Sequence, residues 1–170
     1  TFEIASPDLV AECRCKVVYN GKPQHIVLLM RNEPLQGDSV YRWCFVGARD
    51  LDKAGIINTE KLSWISAMEH EIHFMGLSDI LNDNASRVMG YRSCNYNIDQ
   101  LSVFLALLQA GALEFDYVEE LVFHSFAVPE YIFTIEEIVR TGQNSGWLIS
   151  NFMRTNSESK LRYINKLYGY

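Results

Sequence analysis

The feature that most constrains the fold is an alternating run that ends at an Asn-Gly pair. Along residues 13–19 apolar side chains occupy every second position, which is the period of a strand with one buried face. Asn20 and Gly21 follow at once, and both residue types tolerate the positive φ angles of a two-residue hairpin turn. The sequence therefore predicts an antiparallel hairpin. Its return strand contains the continuous apolar run at residues 26–30, which is typical of a strand covered on both faces.

Helices are predicted between two groups of strands. Residues 78–90 and 101–108 have the spacing of apolar side chains that helices require, and Asn97 or Asp99 can cap the second of them. Thr155 and Glu158 form a capping box that predicts a short helix at the end of the chain. Segregated helices and hairpins are typical of an α+β fold with an antiparallel sheet. We expect a curved, cone-like sheet packed on two or three helices. The remaining strands are predicted at residues 41–45, 121–128, 131–140 and 147–153.

Length and charge narrow the classes of protein to which the chain can belong. Its 170 residues predict one α+β domain over residues 1–170. Because the chain begins at Thr1 and not at Met, the sequence indicates either processing or a fragment that lacks upstream residues. The formal net charge of −6 predicts that nucleic acid is not a partner, since an acidic domain repels phosphate backbones.

Apolar runs and cysteines bear on the compartment. No apolar run approaches the ~20 residues that a membrane-spanning helix needs, so the sequence predicts no membrane span. The four cysteines, Cys13, Cys15, Cys44 and Cys94, are interpreted as buried free thiols, because a chain of this length does not depend on disulfides. That interpretation favours a reducing compartment such as the cytoplasm.

Signatures of metal or cofactor binding are weak in this sequence. His70 and His73 are three positions apart, whereas the zinc-binding motif of metalloproteases spaces its histidines by four. Gly142 and Gly146 do not fit the Gly-rich pattern of a phosphate-binding loop. We therefore predict neither a metal site nor a cofactor.

His124 and Glu137 form the candidate acid–base pair. If Pro129 and Glu130 form a two-residue hairpin loop, His124 lies opposite Ile135, and Glu137 lies diagonally across from it on the same face. A carboxylate beside a histidine can orient the imidazole and raise its proton affinity. A slip of one residue in this pairing would send Glu137 to the other face and bring Glu136 round instead.

Four segments resemble gut-bacterial proteins from an uncharacterised branch of the nuclear-transport-factor-2-like superfamily. They are residues 15–22 (CKVVYNGK), 41–43 (YRW), 128–134 (VPEYIFT) and 144–149 (NSGWLI). The resemblance covers most of the chain and implies a cystatin-like α+β fold, in which a curved sheet and helices surround a pocket. A PAS-like sensor module, with five strands, is the competing match.

The resemblance implies a function in binding but leaves its nature open, because the superfamily contains both enzymes and non-catalytic binding proteins. Our first expectation is a non-catalytic domain that binds a small apolar ligand or a protein partner. The alternative is a small-molecule isomerase or dehydratase that uses His124 and Glu137 in a sheet-lined pocket. Sheets in such domains often pair between copies, so the resemblance also suggests a homodimer, although no residue here requires one.

Overall fold

A six-stranded antiparallel sheet forms the centre of the fold. The computed structural model describes residues 8–35, 40–58, 62–65, 75–83, 85–141 and 145–170. The strands are β1 (Leu9–Tyr19), β2 (Lys22–Pro34), β3 (Tyr41–Arg49), β4 (Leu113–Ser125), β5 (Tyr131–Ile138) and β6 (Gly146–Arg154). They lie in the order β3-β2-β1-β4-β5-β6, and every neighbouring pair is antiparallel. The helices are α1 (Leu77–Asp83), a 3₁₀ helix (Ala85–Tyr91), α2 (Gln100–Gln109) and α3 (Ser157–Tyr168).

The α+β prediction is confirmed, and the sheet has one strand more than the PAS-like alternative predicts. By its internal contacts the chain divides into two compact units. One is Thr1–Leu51 with Asp99–Tyr170, and the other is Asp52–Ile98. The first unit contains the whole sheet with α2 and α3, and the second contains α1 and the 3₁₀ helix. A single domain over residues 1–170 stays a prediction.

The Asn-Gly turn joins β1 to β2 as predicted. Asn20 and Gly21 have φ angles of 51° and 71°, so both residues occupy the left-handed region that this kind of turn requires. Tyr19 pairs with Lys22 directly across the turn. The hairpin therefore fixes which side chains of β1 and β2 share a face.

The apolar run of β2 is buried on both faces, also as predicted. Leu28 faces α2, whereas Val27 and Leu29 face the other way and pack with Val10 and with Leu167 of α3. Successive side chains of a strand point to opposite faces, so the two helices cover opposite sides of the sheet. We call these sides the α2 face and the α3 face.

Three local features differ from the sequence predictions. Residues 78–90 do not form one helix, since α1 ends at Asp83 and a 3₁₀ helix begins at Ala85. The N-cap of α3 is Asn156 and not the predicted Thr155. The Asn156 side chain accepts a hydrogen bond from the Ser159 amide. β4 begins at Leu113, eight residues earlier than predicted.

Among the described residues no helix is long and apolar enough to cross a membrane.

The pairing of β4 with β5 is short. β4 pairs with β1 from Leu113 to Ser125, which is the whole length of β4. It pairs with β5 only over residues 122–125. Residues 118–121 of β4 therefore separate from the end of β5 and leave a gap in the sheet, which we call the notch.

Candidate ligand-binding site and the His124 network

An apolar cavity of about 220 Å³ lies on the α2 face of the sheet. No nitrogen or oxygen atom contributes to its walls. Phe104 of α2, which is 1% exposed, forms part of its wall. Its walls come from three strands in the centre of the sheet, from β3 and from α2: Cys13, Cys15, Leu28, Met30, Phe45, Phe104, Leu108, Phe115 and Val118.

The cavity is open to solvent along one side. Phe45, Leu108, Phe115 and Val118 line it and are each between 38% and 45% exposed. Contiguous exposed apolar side chains mark surfaces where a ligand or a partner can bind. A hydrocarbon that covers this apolar surface would remove it from water, which is favourable.

The two cysteines in the wall of the cavity are expected to be unreactive near neutral pH. Cys13 and Cys15 point to the same face, as expected for residues two apart in a strand, and both are buried and free. Burial raises the pKa of Cys15 to about 12, and the neighbouring Cys13 adds to this effect. Burial also raises the pKa of Cys13. Both thiols are therefore protonated near neutral pH and act as small apolar side chains. The prediction that all four cysteines are buried is wrong for Cys44, which is half-buried, and for Cys94, which is exposed.

The notch between β4 and β5 is a second cavity, of about 420 Å³. Its walls combine the Trp147 ring with carboxylates and two apolar side chains: Val118, Glu119, Glu120, Leu121, Glu136 and Glu137. Val118 lines both the notch and the apolar cavity. The two cavities are therefore adjacent at Val118.

A row of aromatic rings crosses the α2 face next to these cavities. The Phe123 ring centroid lies 5.9 Å from that of Trp43 and 5.3 Å from that of Trp147. Trp43 is on β3 and Phe123 on β4, so two strands separate them. Rings that meet across two intervening strands, each about 4.8 Å from the next, indicate that the sheet curves toward this face.

The structure does not bring the predicted pair His124 and Glu137 together. His124 lies opposite Thr134 and not Ile135, so the predicted register is wrong by one residue. Glu137 consequently points to the α2 face, is exposed and lines the notch beside Trp147. Glu136 takes the position diagonal to His124.

A tertiary contact explains the changed register. Beyond Ser125 the chain leaves the β4–β5 pairing, because the Phe126 amide donates to the carbonyl oxygen of Asp8. The Lys160 ammonium of α3 then donates to the carbonyl oxygens of Phe126 and Val128, at 2.7 and 2.9 Å. Pro129 and Glu130 form a turn in which the Tyr131 amide donates to the carbonyl oxygen of Val128 at 3.1 Å. The pairing of β4 with β5 begins only at Ser125 and Phe133, so this turn does not join directly paired residues as the predicted hairpin loop would.

His124 is instead the centre of a network on the α3 face. It is 6% exposed. Its Nδ1 lies 2.8 Å from the Tyr163 hydroxyl of α3, and its Nε2 lies 3.0 Å from a carboxylate oxygen of Glu12. The other oxygen of Glu12 accepts a hydrogen bond from Arg49. Arg49 also donates to the carbonyl oxygen of Leu167 at 2.8 Å, so the network joins β1, β3 and β4 to α3.

The network lowers the pKa of Glu12. Burial alone would raise this pKa, but the hydrogen bond with His124 and the charges of Arg49 and Arg14 outweigh burial and hold it below its ordinary value. Burial raises the pKa of the Tyr163 hydroxyl, which therefore stays protonated near neutral pH. The ionised Glu12 is thus matched to a guanidinium and an imidazole.

A polar cleft of about 420 Å³ lies beside His124. Ser150 connects its other polar groups, because its hydroxyl lies 2.8 Å from the Thr134 hydroxyl and donates to Glu136 at 2.7 Å. Across the cleft, Arg14 forms an ion pair of 3.1 Å with Glu120. Most polar groups of this cleft are therefore paired with one another.

No protein-family model matches the chain, and no curated protein or solved structure is significantly similar to it. The resemblance to the nuclear-transport-factor-2-like superfamily therefore stays a prediction.

Sequence reasoning missed Glu12, Arg49 and Tyr163. Glu12 contacts His124 across 112 positions of sequence, through the pairing of β1 with β4. A polar residue next to the alternating run of β1 was the only local signal for Glu12. His70 and His73 lie outside the described residues. Within the described part of the chain, no group of three or more metal-binding side chains is placed to hold an ion.

Proposed function

We propose that the chain is a non-catalytic binding domain that takes a small apolar ligand into the cavity between α2 and the sheet. The observation that carries the proposal is a solvent-open cavity whose walls contain no nitrogen or oxygen atom. Such a cavity has no group that could catalyse acid–base chemistry, and its two thiols are buried. Transfer of apolar surface from water into such a cavity is favourable, at roughly 25 cal/mol per Å².

The proposal is in keeping with the pocket that the nuclear-transport-factor-2-like resemblance implies. In that superfamily a curved sheet and helices surround the ligand. The row of Trp43, Phe123 and Trp147 on the same face extends the apolar surface beyond the cavity. Aromatic rings supply large contact areas for ligands and interfaces.

The acid–base alternative has less support. Both ring nitrogens of His124 already have hydrogen-bond partners. Nδ1 lies 2.8 Å from the Tyr163 hydroxyl, and Nε2 lies 3.0 Å from a carboxylate oxygen of Glu12. A general base has to reach the proton that it removes, so Tyr163 would first have to move away from His124. Glu12, and not Glu137, would then orient the imidazole.

Binding of naphthalene, an uncharged hydrocarbon, tests the proposal. Isothermal titration calorimetry would measure its affinity for the intact chain and for Leu108→Trp, in which a larger ring on α2 fills the cavity. Leu105→Trp is the matched control, because Leu105 is also on α2 and similarly exposed but does not line the cavity.

We expect saturable binding to the unaltered chain and to Leu105→Trp, and a loss of affinity of about tenfold or more in Leu108→Trp, since the added ring occupies the ligand's volume. Thermal unfolding of each variant checks that it is folded. Equal affinities in all three proteins, or no saturable binding to the unaltered chain, would overturn the proposal.

A further inference from the structure

The apolar cavity and the notch form one continuous surface, which is apolar in the cavity and lined mainly by carboxylates in the notch. Val118 lines both of them. The cross-strand pair of Cys13 and Leu121 contributes one residue to each, because Cys13 lines the cavity and Leu121 lines the notch. A ligand longer than the cavity would therefore pass over Val118 and enter the notch.

The notch has an excess of negative charge. Glu120 is paired with Arg14 at 3.1 Å, and Glu119 lies 2.8 Å from His25 Nδ1. Glu136 accepts a hydrogen bond from the neutral Ser150 hydroxyl. In the described part of the chain, neither Glu136 nor Glu137 has a cationic partner. The Glu137 carboxylate on the α2 face is therefore not balanced by charge, and Glu136 lines the notch from the α3 face.

Trp147 adds an aromatic face to the same place. It lies opposite Glu137 in the β5–β6 pairing, lines the notch and is 49% exposed. An ammonium group is attracted both by carboxylates and by the face of an indole ring, which is the strongest aromatic partner of a cation. A carboxylate or phosphate group in the notch would instead be repelled.

We propose that the ligand is a cationic amphiphile, with its hydrocarbon part in the cavity under α2 and its ammonium group in the notch between Trp147 and Glu137. The inference rests on the proposed binding function and adds the chemical class of the ligand. The charge of the notch favours this occupant over a neutral or an anionic one, because a cation compensates the Glu137 carboxylate beside Trp147, and Glu136 adds negative charge from the other face of β5.

Three ligands with the same hydrocarbon chain test the selection: octylammonium, 1-octanol and octanoate. Calorimetric titration of the full chain, below micelle-forming concentrations, is expected to give an affinity for octylammonium that is about two- to fivefold above that for 1-octanol, with octanoate the weakest. The preference should shrink in high salt, since partly exposed charges are screened.

Two variants locate the ammonium group. In the double variant Glu136→Gln with Glu137→Gln, the amides keep the shape of the notch, and we expect the preference for octylammonium over 1-octanol to disappear. Glu158→Gln is the control, because it removes an exposed carboxylate on α3 that does not line the notch, and it should keep the preference.

The outcomes separate the two proposals. If naphthalene and 1-octanol bind but octylammonium binds no more tightly than 1-octanol, the cationic class is wrong and the apolar binding function stands. The same holds if octylammonium is preferred equally in the double variant. If none of these ligands binds, the binding function itself is wrong.

Discussion

His124 Nε2 lies 3.0 Å from a carboxylate oxygen of Glu12, on the strand next to it. The other side of the imidazole contacts Tyr163 of α3, and the other oxygen of Glu12 contacts Arg49 of β3. Three elements that are distant in sequence, β1, β4 and α3, therefore meet at one imidazole, and Glu12 links β3 to it through Arg49. We infer that these contacts fasten α3 to the sheet, on the face opposite the apolar cavity.

Replacement of Glu12 tests that structural role. Glu12→Gln should lower the free energy of unfolding by about 2 kcal/mol, because it leaves Arg49 and His124 without their anion; loss of one partner from a fully buried pair costs ~3–5 kcal/mol. The estimate is smaller here since the Glu12 and Arg49 side chains are 21% and 24% exposed. Urea unfolding at neutral pH measures the change. The control Glu158→Gln, in an exposed pair with Arg162, should change it by less than about 0.5 kcal/mol. Equal effects of the two substitutions would contradict the network's role.

The same carboxylate should make stability depend on pH. The pKa of Glu12 is lower in the folded chain than its ordinary value of 4.5. Its stabilising contribution is thus complete above the unfolded-state pKa and is lost as the pH falls through the folded-state pKa. Between about pH 7 and pH 3 the unaltered chain should therefore lose more stability than Glu12→Gln does. Urea midpoints at each pH measure this, and parallel curves for the two proteins would rule out Glu12 as the titrating group.

The cysteines should react with iodoacetamide in an order set by exposure. Cys94 is exposed and should be labelled first, and the half-buried Cys44 should follow. Cys13 and Cys15 should be labelled only after unfolding, because both are buried and burial raises the pKa of Cys15 to about 12. Mass spectrometry of digested peptides after timed labelling near neutral pH gives the order. Early labelling of Cys15 in the folded protein would mean that the wall of the cavity is open and reactive.

Local patterns predicted the parts of the fold that depend on short-range geometry. Alternation along residues 13–19 and the positive φ angles of Asn20 and Gly21 define the first hairpin. The apolar run at residues 26–30 predicted a strand that is buried on both faces, and the two helices do cover both. In each case the evidence lies within a few neighbouring residues, where the sequence is informative.

The candidate site depended on contacts that no local pattern reveals. The pairing of β4 with β5 was predicted one residue away from its actual register, because Lys160 of α3 holds the carbonyl oxygens of Phe126 and Val128. That single shift exchanged Glu137 for Glu136 beside His124 and placed Glu137 in the notch. The apolar cavity needs α2 to pack over β1 and β2, which is a tertiary arrangement and not a motif.

The central claim is that an apolar ligand binds between α2 and the sheet, and nuclear Overhauser contacts from bound naphthalene test it most directly. The wall of this cavity includes the side chains of Leu28, Met30 and Phe104. We predict contacts from naphthalene protons to the side chains of Leu28, Met30 and Phe104, which disappear in Leu108→Trp. Contacts confined to side chains outside the cavity, such as Val10 and Leu167 on the α3 face, would contradict the account.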